Sequence, residues 1–181
     1  MRKIFLNLLV VTSLTFGFAG CASEKPAALA GKVISCVDVP RDVNISSGIE
    51  LECVDGSNGA FLESLRGPAV INVWGSWCTS CLAEMPEFVN FYKKAAGKIA
   101  LVGIAVEERS AEDSRKFIEK HGMTWPNFYD RKNKTRETFG MGVPVTWFID
   151  ELGEVKYKKI GAVESESELI DLTEKYLGVK L

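Results

Sequence analysis

A chain of 181 residues with 46% hydrophobic and 25% charged side chains has room for one ordinary globular domain and a targeting segment. Its formal net charge is −2, and no Lys/Arg cluster tracks one face, which excludes a nucleic-acid binder working through charge. The five cysteines make redox compartment the first question.

Taken in order, the chain opens on a short positive segment, Met1-Arg2-Lys3, followed by a mostly apolar run, Ile4 to Phe18. That run is too short for a permanent transmembrane anchor and has the make-up of a signal sequence. It ends in Phe18-Ala19-Gly20-Cys21, which resembles a bacterial lipoprotein cleavage site. Residues 1–20 are therefore expected to be a lipoprotein signal peptide, and Cys21 the lipid-modified first residue of the mature protein. In the alternative, the leader is an ordinary secretory signal, the protein is secreted and Cys21 is incidental. Residues 21–32, small, polar and proline-containing, read as a tether. Residues 33–181 form the expected domain.

Val33 to Val37 and Ile49 to Val54 are strand-like runs separated by turn formers, and predict an N-terminal β-hairpin. Phe61 to Leu65 reads as a brief helix ended by Gly67-Pro68. Ala69 to Trp74 is a nearly continuous apolar run, the pattern of a strand buried on both faces. The helix after it, Leu82 to Ala96, carries Met85, Phe88, Val89 and Tyr92 at helical spacing, with Pro86 expected to kink it. Ile99 to Val106 predicts a second buried strand, and Ser110 to Lys120 a helix capped by Ser110. Then come a short strand over Trp125 to Tyr129, a short helix over Thr135 to Phe139, and a hairpin pairing Val145–Ile149 with Val155–Ile160. A final helix, capped by Ser165 and Glu168, runs to about Tyr176. Strand-helix-strand forces a parallel pair and the late hairpin adds antiparallel strands, so the fold class is α/β, a mixed central sheet flanked by helices.

The chemistry concentrates at Cys78-Thr79-Ser80-Cys81. Two cysteines at this spacing in the first turn of a helix lie on one face and can bond to each other. Unpaired N–H groups and the dipole at that helix end favour an anion, which lowers the pKa of the first cysteine and makes it a nucleophile near neutral pH. Setting Cys21 aside leaves an even number of cysteines in an oxidising compartment, so Cys36 and Cys53 are expected to form a structural disulfide, with two free thiols as the alternative. Zinc would need four ligands, yet the only histidine is His121, with no partner in sequence. Haem attachment would need a histidine where Leu82 stands. No metal site and no organic cofactor are expected, because a redox-active disulfide itself carries both electrons.

The run from Asn72 through Trp77, Cys78, Cys81, Glu84, Met85 and Pro86 resembles the active-site signature of the thioredoxin-like superfamily. It is most similar to the TlpA/ResA-like branch of membrane-attached, extracytoplasmic thiol-disulfide oxidoreductases. Gly142-Val143-Pro144-Val145-Thr146 resembles the family's Gly-x-Pro-x-Thr segment, and the helix-strand insertion between Val106 and Thr135 also matches. The resemblance spans about Phe61 to Leu177. It implies a thioredoxin-like fold, Cys78 as attacking and Cys81 as resolving cysteine, and Pro144 as a cis proline facing them. Val143 would pair with an extended substrate, Glu84 would handle the proton of Cys81, and Trp77 would shield the dithiol. Asn72 stands where cytoplasmic thioredoxins carry a buried aspartate. The resemblance further implies exported protein disulfides as substrates, apocytochrome c among them, and a membrane thiol-disulfide electron donor. Thr79-Ser80 replaces the Gly-Pro of thioredoxins and leaves the direction of electron flow open, so a disulfide oxidase or isomerase stays beside the reductase. Less favoured are a peroxiredoxin, whose Pro-x-x-x-Thr-x-x-Cys pattern would need a threonine where Gly75 stands, and a metal-binding module.

Overall fold

The computed structural model describes residues 30–140 and 142–181. The expected signal peptide and Cys21 lie outside the described residues.

A seven-stranded mixed sheet organises the chain, in the order β2-β1-β5-β4-β3-β6-β7. The strands are β1 (Glu50–Cys53), β2 (Ala60–Phe61), β3 (Ala69–Trp74), β4 (Ala100–Ala105), β5 (Asn127–Tyr129), β6 (Val145–Ile149) and β7 (Val155–Ile160). The helices are α1 (Thr79–Ala95), α2 (Ala111–Lys120), α3 (Arg136–Phe139) and α4 (Glu166–Leu177). At the centre β3 runs parallel to β4 and antiparallel to β6, as the chain order requires of a strand-helix-strand unit followed by a hairpin.

All six residues of β3 are buried, and their alternation divides the core. Val70 and Trp74 face a cluster built with Phe88 and Phe91 of α1, Phe117 and Ile118 of α2, and Leu169 of α4. Ala69, Ile71 and Val73 face the opposite side with Val102, Ile104, Trp147 and Phe139 of α3. Trp74 stacks on Phe117 with ring centroids 4.7 Å apart, and its indole N–H donates to Asn127 Oδ1 at 3.1 Å. Gly103 makes room for this: a Cβ there would stand 1.7 Å from Asn127 Oδ1.

The hairpin at the N-terminal side differs from expectation. β1 pairs antiparallel with the two-residue β2 and, on its other edge, with β5. The 33–37 run contributes a single bridge, Ile34 to Pro126. Gly31 and Lys32 donate backbone N–H groups to the carbonyls of Glu119 and Met123, so contacts with the domain begin two residues before the expected boundary. α1 continues through Pro86 and ends at Ala96 in the left-handed region. Ser110 and Ser165 cap α2 and α4, accepting the N–H groups of Asp113 and Glu168.

Cys36 and Cys53 are bonded, with Cα atoms 5.9 Å apart and both side chains buried. The bridge fastens the segment before β1 to the sheet. With its ends 17 positions apart in sequence, replacing both cysteines with alanine is expected to lower unfolding free energy by about 3 kcal/mol through the freer unfolded chain. Chemical denaturation of the double variant beside the wild type checks this; an unchanged midpoint would make the bridge energetically idle.

Candidate active site

Val73 and Trp74 close β3, the chain turns through Gly75-Ser76-Trp77, and α1 begins. Cys78 occupies the N-cap of α1, with extended backbone angles, φ −88° and ψ 110°. Here a serine or aspartate oxygen commonly accepts a free N–H of the first turn. In this chain the acceptor is sulfur: the Cys81 N–H donates to Cys78 Sγ at 3.0 Å. Cys78 and Cys81 are bonded in the structure, with Cα atoms 5.2 Å apart. On reduction the same N–H and the helix dipole would act on a Cys78 thiolate, stabilising the charged form. The two sulfurs are unequal in access: Cys78 is 6% exposed and Cys81 0%.

The peptide bond between Val143 and Pro144 is cis, as expected, and a second cis bond joins Gly67 to Pro68. The Val143–Pro144 loop, which leads into β6, faces the dithiol and places the Val143 carbonyl oxygen 3.7 Å from Cys78 Sγ. Ser80 Oγ lies 3.6 Å from the same sulfur.

Glu84, one turn beyond Cys81, is 1% exposed. A helix glutamate is ordinarily solvated; this one points under α1, toward the sheet. Its Oε1 accepts from Asn72 Nδ2 and its Oε2 from the Val163 N–H, both at 2.9 Å. Burial is the dominant influence and pushes its pKa up to about 7, against the downward pull of those two hydrogen bonds. Asn72, fully buried on β3, is thus a tie to the carboxylate, while its Oδ1 has no partner.

Trp77 is 53% exposed, and its indole N–H points to the Val106 carbonyl at 3.4 Å. With Val73, Val106, Phe139 and Val143 it walls a cleft beside the dithiol. His121 packs against Phe117, and among the described residues no group of three or more His, Cys, Asp or Glu side chains could hold a metal ion. Glu108 is the site residue that the sequence did not mark. It is 9% exposed and accepts from both the backbone N–H and the hydroxyl of Ser76. It sits within Glu107-Glu108-Arg109-Ser110, where charge pattern does not tell which acid turns inward.

A mixed sheet whose parallel β3-α1-β4 unit carries a bonded Cys-x-x-Cys at the start of α1, opposite a cis-proline loop, defines a thioredoxin-fold thiol-disulfide oxidoreductase. The AhpC/TSA family model matches residues 48–158, and the chain belongs to that family. Over 171 residues the chain is 34% identical to the thiol-disulfide oxidoreductase ResA of Geobacillus thermodenitrificans, a match spanning 92% of this chain and 89% of that protein. The corresponding protein of Geobacillus kaustophilus is 36% identical over 110 residues, 58% of this chain and 62% of its relative, which is less than two thirds of that protein's length. The exposed lipoprotein thioredoxin Etrx1 of Streptococcus pneumoniae shares the fold, with a TM-score of 0.57 and 24% identity over 71% of this chain and 99% of that one. By sequence and fold the chain is a ResA-like member of the thioredoxin-like superfamily, and an enzyme of thiol-disulfide exchange.

Proposed function

We propose that this oxidoreductase works outside the cytoplasm, held to the membrane by a lipid on Cys21, and reduces disulfides in exported proteins, apocytochrome c among them. The supporting observation is the placement of Cys78: at the N-cap of α1, accepting the Cys81 N–H, and the more accessible of the two sulfurs. A lipoprotein of the same fold, Etrx1, is compatible with such an anchor.

In this mechanism the Cys78 thiolate attacks one sulfur of the substrate disulfide. That S–S bond breaks, one substrate thiolate leaves, and a mixed disulfide forms. Cys81 then gives up its proton and attacks Cys78 Sγ. The mixed disulfide breaks, the second substrate thiolate leaves, and the enzyme is left oxidised as Cys78–Cys81. The substrate has gained two electrons and, after protonation, two protons. Glu84 receives the Cys81 proton, a task suited to a carboxylate whose pKa lies at about 7. Val143 offers its backbone to an extended substrate strand, Pro144 sets that loop, and Trp77 forms one wall of the approach. A membrane thiol-disulfide donor returns the dithiol.

A second reading is favoured by Ser80, whose hydroxyl lies near Cys78 Sγ. A donor there would stabilise the thiolate further and tilt the pair toward an oxidase. Equilibration with a thiol redox buffer separates the two: a reductant is expected at roughly −270 mV, an oxidant at about −120 mV. A value at the upper end would overturn the reductive direction.

A further inference from the structure

Val106 and four polar residues, Glu107-Glu108-Arg109-Ser110, join β4 to α2. A solvated loop would account for such a run, except that Glu108 is turned inward. Burying a carboxylate is costly unless strong donors meet it. Both donors come from one residue: the Ser76 backbone N–H bonds to Oε1, and the Ser76 hydroxyl to Oε2 at 2.7 Å. Ser76 stands two residues before Cys78. Two further ties hold the same stretch: the Trp77 indole donates to the Val106 carbonyl, and the Val106 N–H donates to the Trp74 carbonyl at 2.9 Å. The Cys78 N–H then closes a turn on the Gly75 carbonyl at 3.0 Å.

We infer that Glu108 is the positioning residue of the dithiol: by gripping Ser76 it fixes the turn from which Cys78 enters α1, and so the alignment of Cys78 Sγ with the Cys81 N–H. It acts through Ser76 and touches no reacting atom. Burial pushes the Glu108 pKa upward, Ser76 pulls it down, and Asp113 on α2 adds repulsion. Tyr129 on β5 also feels its charge. The carboxylate is therefore held by geometry at an unfavourable place, which a loop with no task would have no reason to keep.

This inference rests on the proposed role of Cys78 as the attacking thiol. The test uses the full chain, reduced, as wild type, Glu108→Ala, Glu108→Gln and Ser76→Ala. Iodoacetamide alkylation of the accessible cysteine is followed across pH, kcat and KM are measured on insulin disulfides, and thermal melting is recorded alongside. Glu108→Ala is expected to raise the midpoint of the alkylation profile by about half a pH unit or more, since the thiolate loses its aligned N–H. It should slow turnover about tenfold or more, chiefly in kcat, as displacement of a reacting group does. Glu108→Gln keeps an acceptor for the Ser76 N–H and should recover to within about threefold of wild type. A folded Glu108→Ala with wild-type midpoint and kcat overturns the inference, as does a folded Glu108→Gln no better than Glu108→Ala. Should Glu108→Ala fail to fold, Ser76→Ala decides: wild-type values there overturn the inference, and a shifted midpoint supports it. Failure of the underlying reading is a separate result, in which the wild type itself shows an ordinary thiol profile and no turnover.

Discussion

Replacing Cys81 with alanine is expected to arrest the enzyme on its substrate as a covalent adduct through Cys78, while Cys78→Ala forms no such adduct. Turnover should fall by about 10³-fold or more in both, because each removes one half of a two-step exchange. The adducts nevertheless separate the roles. Cys78 keeps a slight exposure, 6%, with its Sγ next to the Val143 carbonyl and the N–H of Cys81, whereas Cys81 is 0% exposed. An incoming disulfide therefore meets Cys78 first, and Cys81 reaches only the mixed disulfide already formed beside it. Non-reducing electrophoresis of full-length protein purified from the cells that express it, before and after dithiothreitol, reads the adduct directly. Equal trapping by Cys78→Ala would reverse the assignment of attacking and resolving sulfur.

That pair was legible in the sequence because its chemistry depends on local spacing: two cysteines, a strand before and an amphipathic helix after. The same holds for β3, β4 and β6, whose residues form apolar runs, for β7, which a short turn pairs with β6, and for the serine caps of α2 and α4. Longer-range choices were not legible. Val33 to Val37 has strand-like composition, but β1 already has β2 on one edge and β5 on the other, so Ile34 is left with a single bridge. β2 is two residues long and carries no periodic signal at all. Trp77 was legible as a residue beside the dithiol but not in its local contacts: its ring lies against Gly75, where a Cβ would come within 2.6 Å of the indole nitrogen, and its N–H turns to Val106. Glu84 and Glu108 share one difficulty. Sequence shows that a residue is acidic, but only the packing of a distant segment, Val163 for one and Ser76 for the other, shows that it is buried.

Glu84→Gln is expected to stabilise the protein above neutral pH and to slow the resolving step. The native carboxyl has its pKa raised from 4.5 to about 7, with burial as the main cause. Below 4.5 native and unfolded chains both carry the proton and the group costs nothing. Between 4.5 and about 7 the native state holds the proton more tightly than the unfolded state, so stability falls as pH rises through that window. Above it both states are ionised, and the native chain carries the whole penalty, on the order of 3 kcal/mol. Glutamine has no charge to bury. Its Oε1 can accept from Val163, and a flip of the Asn72 amide turns Oδ1 toward the new Nε2, so the hydrogen bond to β3 is kept and Asn72 Nδ2 takes the place of Oδ1 as the group without a partner. The variant should therefore match the wild type at pH 4, exceed it by on the order of 3 kcal/mol at pH 8, and show a flatter denaturation midpoint between. Its catalytic cost should appear in release of the second substrate thiol, slowed by roughly 10²-fold because no carboxylate takes the Cys81 proton. Urea denaturation across pH, paired with stopped-flow decay of a mixed disulfide preformed on Cys78, checks both halves. A variant that loses stability at pH 8, or that resolves the mixed disulfide at the wild-type rate, would leave Glu84 as a structural tie between α1 and β3 without a part in proton transfer.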